Sequence, residues 1–239
     1  MDKNFKQQFD KVKHLLVPSF DLDKPFREKT FNDIELDILD IGEVFLKTGK
    51  IIACDPLAYM FENQVSPFIQ TVKPDKYKVS LLIIKDEERI AMAKISFSNN
   101  EPKRYELAVT GEEDLSEVEE NEFFGYPVDA GMGCFCDYEA AEKYFEYEDK
   151  LEKESNGDFD NRYDDLFADL LEDNAKKNPK YQSEYGDWLN WNIPESDSNI
   201  VLFTSGYGDG YYPSYFAYDE NNNISALYTI FIDLNDDDE

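Results

Sequence analysis

Residues 200–233 read IVLFTSGYGDGYYPSYFAYDENNNISALYTIFID. An apolar run ends at Phe203, an aromatic run extends to Tyr218, and a last apolar run extends to Ile232. Glycine-rich and Asp-Asn-rich segments separate the runs, so the stretch is expected to form three strands joined by two tight connections. Gly206, Gly208 and Gly210 alternate with Tyr207 and Asp209. Each of these glycines lets the backbone take positive φ or approach a neighbour closely.

The same patterning recurs upstream. Ile34, Leu36 and Ile38 alternate with acids, and Val44, Phe45 and Leu46 lead through Thr48-Gly49 to Ile51 and Ile52, which predicts a hairpin over 34–54. Further strands are expected at 67–72, 77–85, 89–97 and 104–109, close enough together for an antiparallel meander. Two other regions have helical periodicity. Phe5, Phe9, Val12, Leu15 and Leu16 share one face of an N-terminal helix over 2–17, stopped by Pro18. Asp137 is a good N-cap for a second helix, and Tyr163, Leu166, Phe167, Leu170 and Leu171 line a third that ends before Pro179. The expectation is one domain over 1–239 of α+β class. It is mainly an antiparallel β-sheet, meander or sandwich-like, with an N-terminal helix and a two-helix acidic insertion at about 137–178.

Charge is the chain's most unusual property. Its 53 acidic and 24 basic residues give a formal net charge of −29. Such a surface repels nucleic acid and anionic lipid, because binding either rests on Lys and Arg meeting phosphate, and it attracts a basic protein. A net −23 of that −29 falls in three segments: the loop 111–122, the helical region 137–173, and the tail 233–239. Uneven acid favours an interaction surface over mere solubility. The 41% hydrophobic and 15% aromatic content is that of a folded protein. Three cysteines, with Cys134 and Cys136 only two apart, suggest no disulfide framework, and no apolar run is long enough to span a bilayer. No signal peptide is recognisable in MDKNFKQQFDKVKHLL, and the expected setting is the cytoplasm. The single histidine, His14, sits among lysines, which removes histidine-based catalytic and zinc machineries; no cofactor is expected.

CDPL at 54–57, RYELAV at 104–109, YPVDAGMGCFCD at 126–137 and SGYGDGYYPSYFAYD at 205–219 together resemble a bacterial family of unknown function, number 4241 in the domain-of-unknown-function series. The resemblance spans about residues 40–233 and implies a shared fold, without an activity to carry over. Where that family has Trp before Glu-Leu-Ala, this chain has Tyr105.

Four aspartates in these motifs sit beside glycines or turns: Asp55, Asp129, Asp137 and Asp209. Converging, they would hold a divalent cation or act as an acid–base pair in a cation-dependent hydrolase. Capping of local backbone explains each one separately and is the simpler reading. Asp219-Glu-Asn-Asn-Asn223 begins like a calcium loop, but Ile224 stands where glycine is required. No catalytic motif is decisive. The expected function is therefore a non-catalytic acidic binding protein, an immunity or inhibitor protein that neutralises a basic bacterial toxin such as a nuclease. Glu112, Glu113, Asp114, Glu117, Glu119 and Glu120 would steer the partner, and Tyr207, Tyr211 and Tyr212 would anchor it.

Overall fold

The computed structural model describes residues 3–62, 64–120 and 122–235. In chain order its strands are β1 (Thr30–Phe31), β2 (Ile34–Leu46), β3 (Ile51–Cys54), β4 (Asp75–Ile84), β5 (Arg89–Ser96), β6 (Arg104–Leu107), β7 (Gly125–Val128), β8 (Met132–Asp137), β9 (Trp188–Asn192), β10 (Asn199–Thr204), β11 (Gly210–Tyr218) and β12 (Ile224–Ile230). The α-helices are α1 (Lys3–Val12), α2 (Lys24–Glu28), α3 (Tyr138–Glu154) and α4 (Ala168–Lys177), the last entered through a π-helical turn at Tyr163–Phe167. The α+β class is as the sequence predicts.

Two antiparallel sheets form the frame. The larger runs β1-β2-β4-β5-β12-β11-β6, with β7 also paired to β11; the smaller runs β3-β8-β10-β9. Period-2 alternation assigns each strand's side chains to two faces. Val79, Leu81 and Ile83 of β4, with Phe216 and Leu227, meet Phe135, Val201 and Phe203 of the smaller sheet in the core between the sheets. Leu82, Ile84, Tyr215 and Tyr228 point the other way, under a cover made by Phe5, Phe9, Leu16, Leu22 and Phe26 of the N-terminal segment. On the far side, Cys134, Cys136, Ile200 and Leu202 pack against Ala140, Ala141 and Tyr144 of α3 and against Phe167 and Leu171. The order of layers is N-terminal cover, large sheet, small sheet, helices. The acidic helical segment is thus a structural layer, with its apolar stripe inward and its acids outward.

Several expectations are corrected. Thr48-Gly49 does not close a hairpin: β2 pairs with β1 and β4, whereas β3 pairs with β8 in the other sheet. The glycine-rich turn likewise carries the chain from β10 in the small sheet to β11 in the large one, so only the second connection of the 200–233 stretch is a hairpin. β4 and β5 do form the predicted hairpin, but β5 goes on to pair with β12, and β6 with β11, so the meander stops there. Residues 67–72 are an irregular crossing segment. They are pinned by Phe68 N–H to Ile51 O and Val72 N–H to Gly49 O on one side and by Ile69 N–H to Val109 O on another, so the donors are split between two segments and meet no continuous partner strand. The N-terminal helix ends at Val12, with Leu16 buried from the turn beyond it; residue 2, where it was expected to start, lies outside the described residues, as do residues 236–239 of the acidic tail.

The two sheets are joined at a corner in β2. A bulge between Asp40 and Glu43 contains Gly42 at φ +96°, where an added Cβ would stand 2.7 Å from Asn190 Nδ2. That amide donates to the carbonyls of Ile41 and Glu43, and Asn199 accepts from Phe45 N–H while donating to Glu43 O. Two asparagine side chains therefore satisfy backbone groups that the bulge takes out of the strand ladder.

Candidate functional site

Three of the quoted motifs meet where β7, β8 and the glycine turn come together. Asp55 is fully buried, and its Oδ1 accepts from Leu57 N–H (2.9 Å) and Ala58 N–H (3.1 Å). Its Oδ2 accepts from Asp129 N–H (3.0 Å) and Ala130 N–H (2.7 Å). One carboxylate thus caps its own turn and fastens the turn before β8. Ser205 N–H donates to Gly131 O, drawing in the glycine turn, where Gly206 and Gly208 take φ of +64° and +111°. Tyr212 is buried beneath that turn and its hydroxyl donates to Gly208 O (2.8 Å); Arg89 Nη1 donates to Gly206 O (2.9 Å) from the other side. Gly210 has no positive φ; an added Cβ there would meet the Tyr212 hydroxyl at 2.7 Å.

The other aspartates divide. Asp137, 1% exposed, caps α3 through Glu139 N–H and also accepts from the Thr48 N–H and hydroxyl, at the end of β8 away from Asp129. Asp129 and Asp209 are exposed. The β7–β11 ladder ends at Val128 opposite Gly210, so the two follow on opposite strands at its mouth. The Tyr59 hydroxyl donates to Asp129, and that carboxylate, with Asp55 and Asp209 farther out, raises the phenol above its ordinary value. Asp55, Asp129 and Asp209 therefore belong to one neighbourhood and Asp137 to another. Among the described residues no three histidine, cysteine, aspartate or glutamate side chains are arranged to hold a metal ion. The oxygens of Asp55 and Asp137 are committed to backbone and Thr48 donors, which leaves Asp129 and Asp209 facing solvent.

The expected partner-facing residues also divide. Tyr207 (61% exposed) and Tyr211 (49%) are displayed, whereas Tyr212 belongs to the turn's support. The Arg89 guanidinium lies 5.2 Å from the Tyr207 ring centroid, and the Tyr207 hydroxyl donates to Glu87. Within the acidic loop, Glu113 accepts from Thr110 N–H, the Thr110 hydroxyl and Gly111 N–H, and Asp114 accepts from Ser116 N–H. Glu112 accepts from the Ser66 hydroxyl (2.7 Å). Glu117, Glu119 and Glu120 are exposed and form no ion pair among the described residues. Leu115 and Val118 press the loop onto the N-terminal cover, so it is held at its centre.

Sequence reasoning missed one participant. Phe123 is 43% exposed and stacks on Tyr211 with ring centroids 6.2 Å apart. Tyr126 is the residue that reaches the core, and an apolar run alone does not reveal which of its first members stays outside. Cys54, Cys134 and Cys136 are free, buried thiols facing the helices. The neighbouring Cys134, together with burial, holds Cys54 and Cys136 well above the usual thiol range, as befits packing residues. No helix among the described residues is long and apolar enough to cross a membrane.

No curated protein and no solved structure matches the chain. A family model does, that of Protein of unknown function (DUF4241), over residues 44–229. That span takes in both sheets from the last three residues of β2 to β12 and all four quoted motifs, and the chain belongs to the DUF4241 family.

Proposed function

We propose that the protein is a non-catalytic cytoplasmic binding protein that holds a basic protein partner, acting as an immunity protein or inhibitor of a basic bacterial toxin such as a nuclease. One observation carries this reading: the stacked, exposed pair Phe123 and Tyr211 adjoins a loop whose Glu117, Glu119 and Glu120 have no ion pair among the described residues. Unneutralised surface carboxylates raise the local concentration of a cationic partner and speed its approach. Rigid aromatics that can be desolvated on contact then supply the anchor, as interface tyrosines do. Asp129 and Asp209, exposed together at the ladder mouth, would extend the same negative field beside Tyr211.

The test uses a basic toxin encoded beside this gene. Replacing Glu112, Asp114, Glu117, Glu119 and Glu120 by Gln or Asn is expected to slow association about tenfold at low salt. The difference should shrink at moderate salt, where exposed charges are screened. Tyr211→Ala is expected to act on dissociation instead. An association rate unchanged by the acidic substitutions removes steering, and failure to bind any basic protein encoded nearby removes the reading itself.

A further inference from the structure

We infer that the groove along the outer face of α3 receives a basic amphipathic segment of the protein partner; this rests on the binding-protein reading above and names a contact that reading does not contain. The groove, of about 640 Å³, lies between α3 and the segment that ends at Val65. Val65, Tyr138, Ala141 and Phe145 make an apolar floor. Glu62, Glu139, Glu142, Glu146 and Asp149 stand around it, and Lys143 is the one basic residue of the lining. From outside it Lys47 pairs with Glu139 and Lys50 lies over the Tyr138 ring, so four of the five rim acids are left to surface pairs or to none. Tyr138, Glu142, Phe145 and Asp149 recur at spacings of four, three and four, so floor and rim share one face of the helix for three turns, a length of about 16 Å.

An apolar floor and an acidic rim make opposite demands on an occupant. A purely apolar ligand would leave the carboxylates without cations, and a simple cation would leave the floor wet. A segment with Lys or Arg along its edges and apolar side chains at its centre answers both, as in helix-in-groove recognition. Glu62 and Glu142 have no ion pair among the described residues, and Glu146 and Asp149 hold only the half-buried Lys143 and the exposed Lys153. Such surface pairs are weak and exchange readily for a partner's cations. The groove is also continuous with the acidic loop, because Ser66, next to Val65, donates to Glu112 at 2.7 Å. A partner steered by the loop arrives at one end of the groove.

The experiment measures binding of two fluorescent helix-forming peptides by anisotropy, one of lysine and leucine at amphipathic spacing and one of lysine and serine. Three proteins are compared: the unaltered chain, a groove variant (Glu62→Gln, Glu142→Gln, Glu146→Gln) and a loop variant with the same charge change (Glu117→Gln, Glu119→Gln, Glu120→Gln). Loss of about tenfold for the lysine–leucine peptide in the groove variant, and no more than about twofold in the loop variant, is the expected result. The lysine–serine peptide should bind less tightly to the unaltered chain, and Val65→Lys should weaken the lysine–leucine peptide at a temperature where the variant is still folded. Equal loss in both variants, or no binding to the unaltered chain, overturns the groove. A toxin bound equally well by the groove variant overturns the groove while leaving the binding-protein reading standing, and a toxin that never binds overturns that reading instead.

Discussion

The turn around Asp55 and the loop of residues 111–122 are built from the same carboxylate side chains and put them to opposite uses. Around Asp55, four backbone N–H groups from two segments converge on one buried carboxylate, so its charge is consumed inside the fold. In the loop, Leu115 and Val118 hold the backbone down while Glu117, Glu119 and Glu120 project into solvent. The difference shows that a formal charge of −29 is a poor measure of what a partner meets. Acids that satisfy orphan backbone donors are scaffold, and acids without partners are field.

The sharpest way to break that contrast is Asp55→Ala. It leaves the N–H groups of Leu57, Ala58, Asp129 and Ala130 without their acceptor. Hydrogen bonds to a charged group are the strong ones, and the expected destabilisation is about 4 kcal/mol, or about 10 °C in melting temperature. Asp55→Asn should recover little, because its amide presents donors to two of those donors. A D55A protein that melts with the unaltered chain would show that the turn is held by something else.

Asp23 sharpens the same contrast in a second layer and adds a pH dependence. It is 6% exposed and accepts from Lys94 Nζ (2.6 Å), the Tyr228 hydroxyl (2.6 Å) and Arg27 Nη1 (2.8 Å). Burial acts to raise its pKa, but the bonds from Lys94 and Tyr228 and the charges of Lys94 and Arg27 outweigh it, and the carboxyl lies below its ordinary value. A depressed folded pKa gives stability that is fully present above the unfolded value, about 3.9, and is lost as pH falls toward the folded one. Asp23→Asn is expected to cost about 2–3 kcal/mol near neutral pH. Calorimetry from pH 7 downward should show the gap between variant and unaltered protein constant to about pH 5 and narrowing below pH 4. A gap that widens on acidification would contradict the assignment.

What the sequence made legible followed local rules. Asp137 caps α3 as its position before Ala140 and Ala141 predicts, and the β4–β5 and β11–β12 hairpins close at turns whose residues favour reversal. Partner choice was not legible, since Thr48-Gly49 and the glycine-rich turn reverse the chain just as a hairpin does yet deliver it to the other sheet. β8 was not recognisable as a strand, because MGCFCD is buried on both faces and so lacks alternation. For the candidate site, the motifs identified Asp55 and Asp129 but not which of them is committed to backbone, and nothing local marked Phe123 as exposed. The α3 groove was hidden for a related reason: its floor comes from Val65 as well as from the helix, and that contact is tertiary.

The smallest expected effect is also the most direct comparison, because it lies within one loop. Glu113 differs from Glu117, Glu119 and Glu120 in having backbone to bind: its Oε1 accepts from Thr110 N–H (2.7 Å) and its Oε2 from Gly111 N–H (2.9 Å). Glu113→Ala should therefore lower stability by about 1–2 kcal/mol, the size of a lost cap. Glu117→Ala, Glu119→Ala and Glu120→Ala should each leave the melting temperature within about 2 °C of the unaltered protein. Association with a basic partner should rank them the other way. Removing Glu117, Glu119 or Glu120 takes away displayed charge, whereas Glu113 is half-buried and already bonded to the backbone. A melting series in which all four behave alike would erase the distinction between scaffold and field in this loop. An association series in which Glu113→Ala slows binding most would place the steering charge at the loop's base, beside Thr110, and away from its exposed outer half.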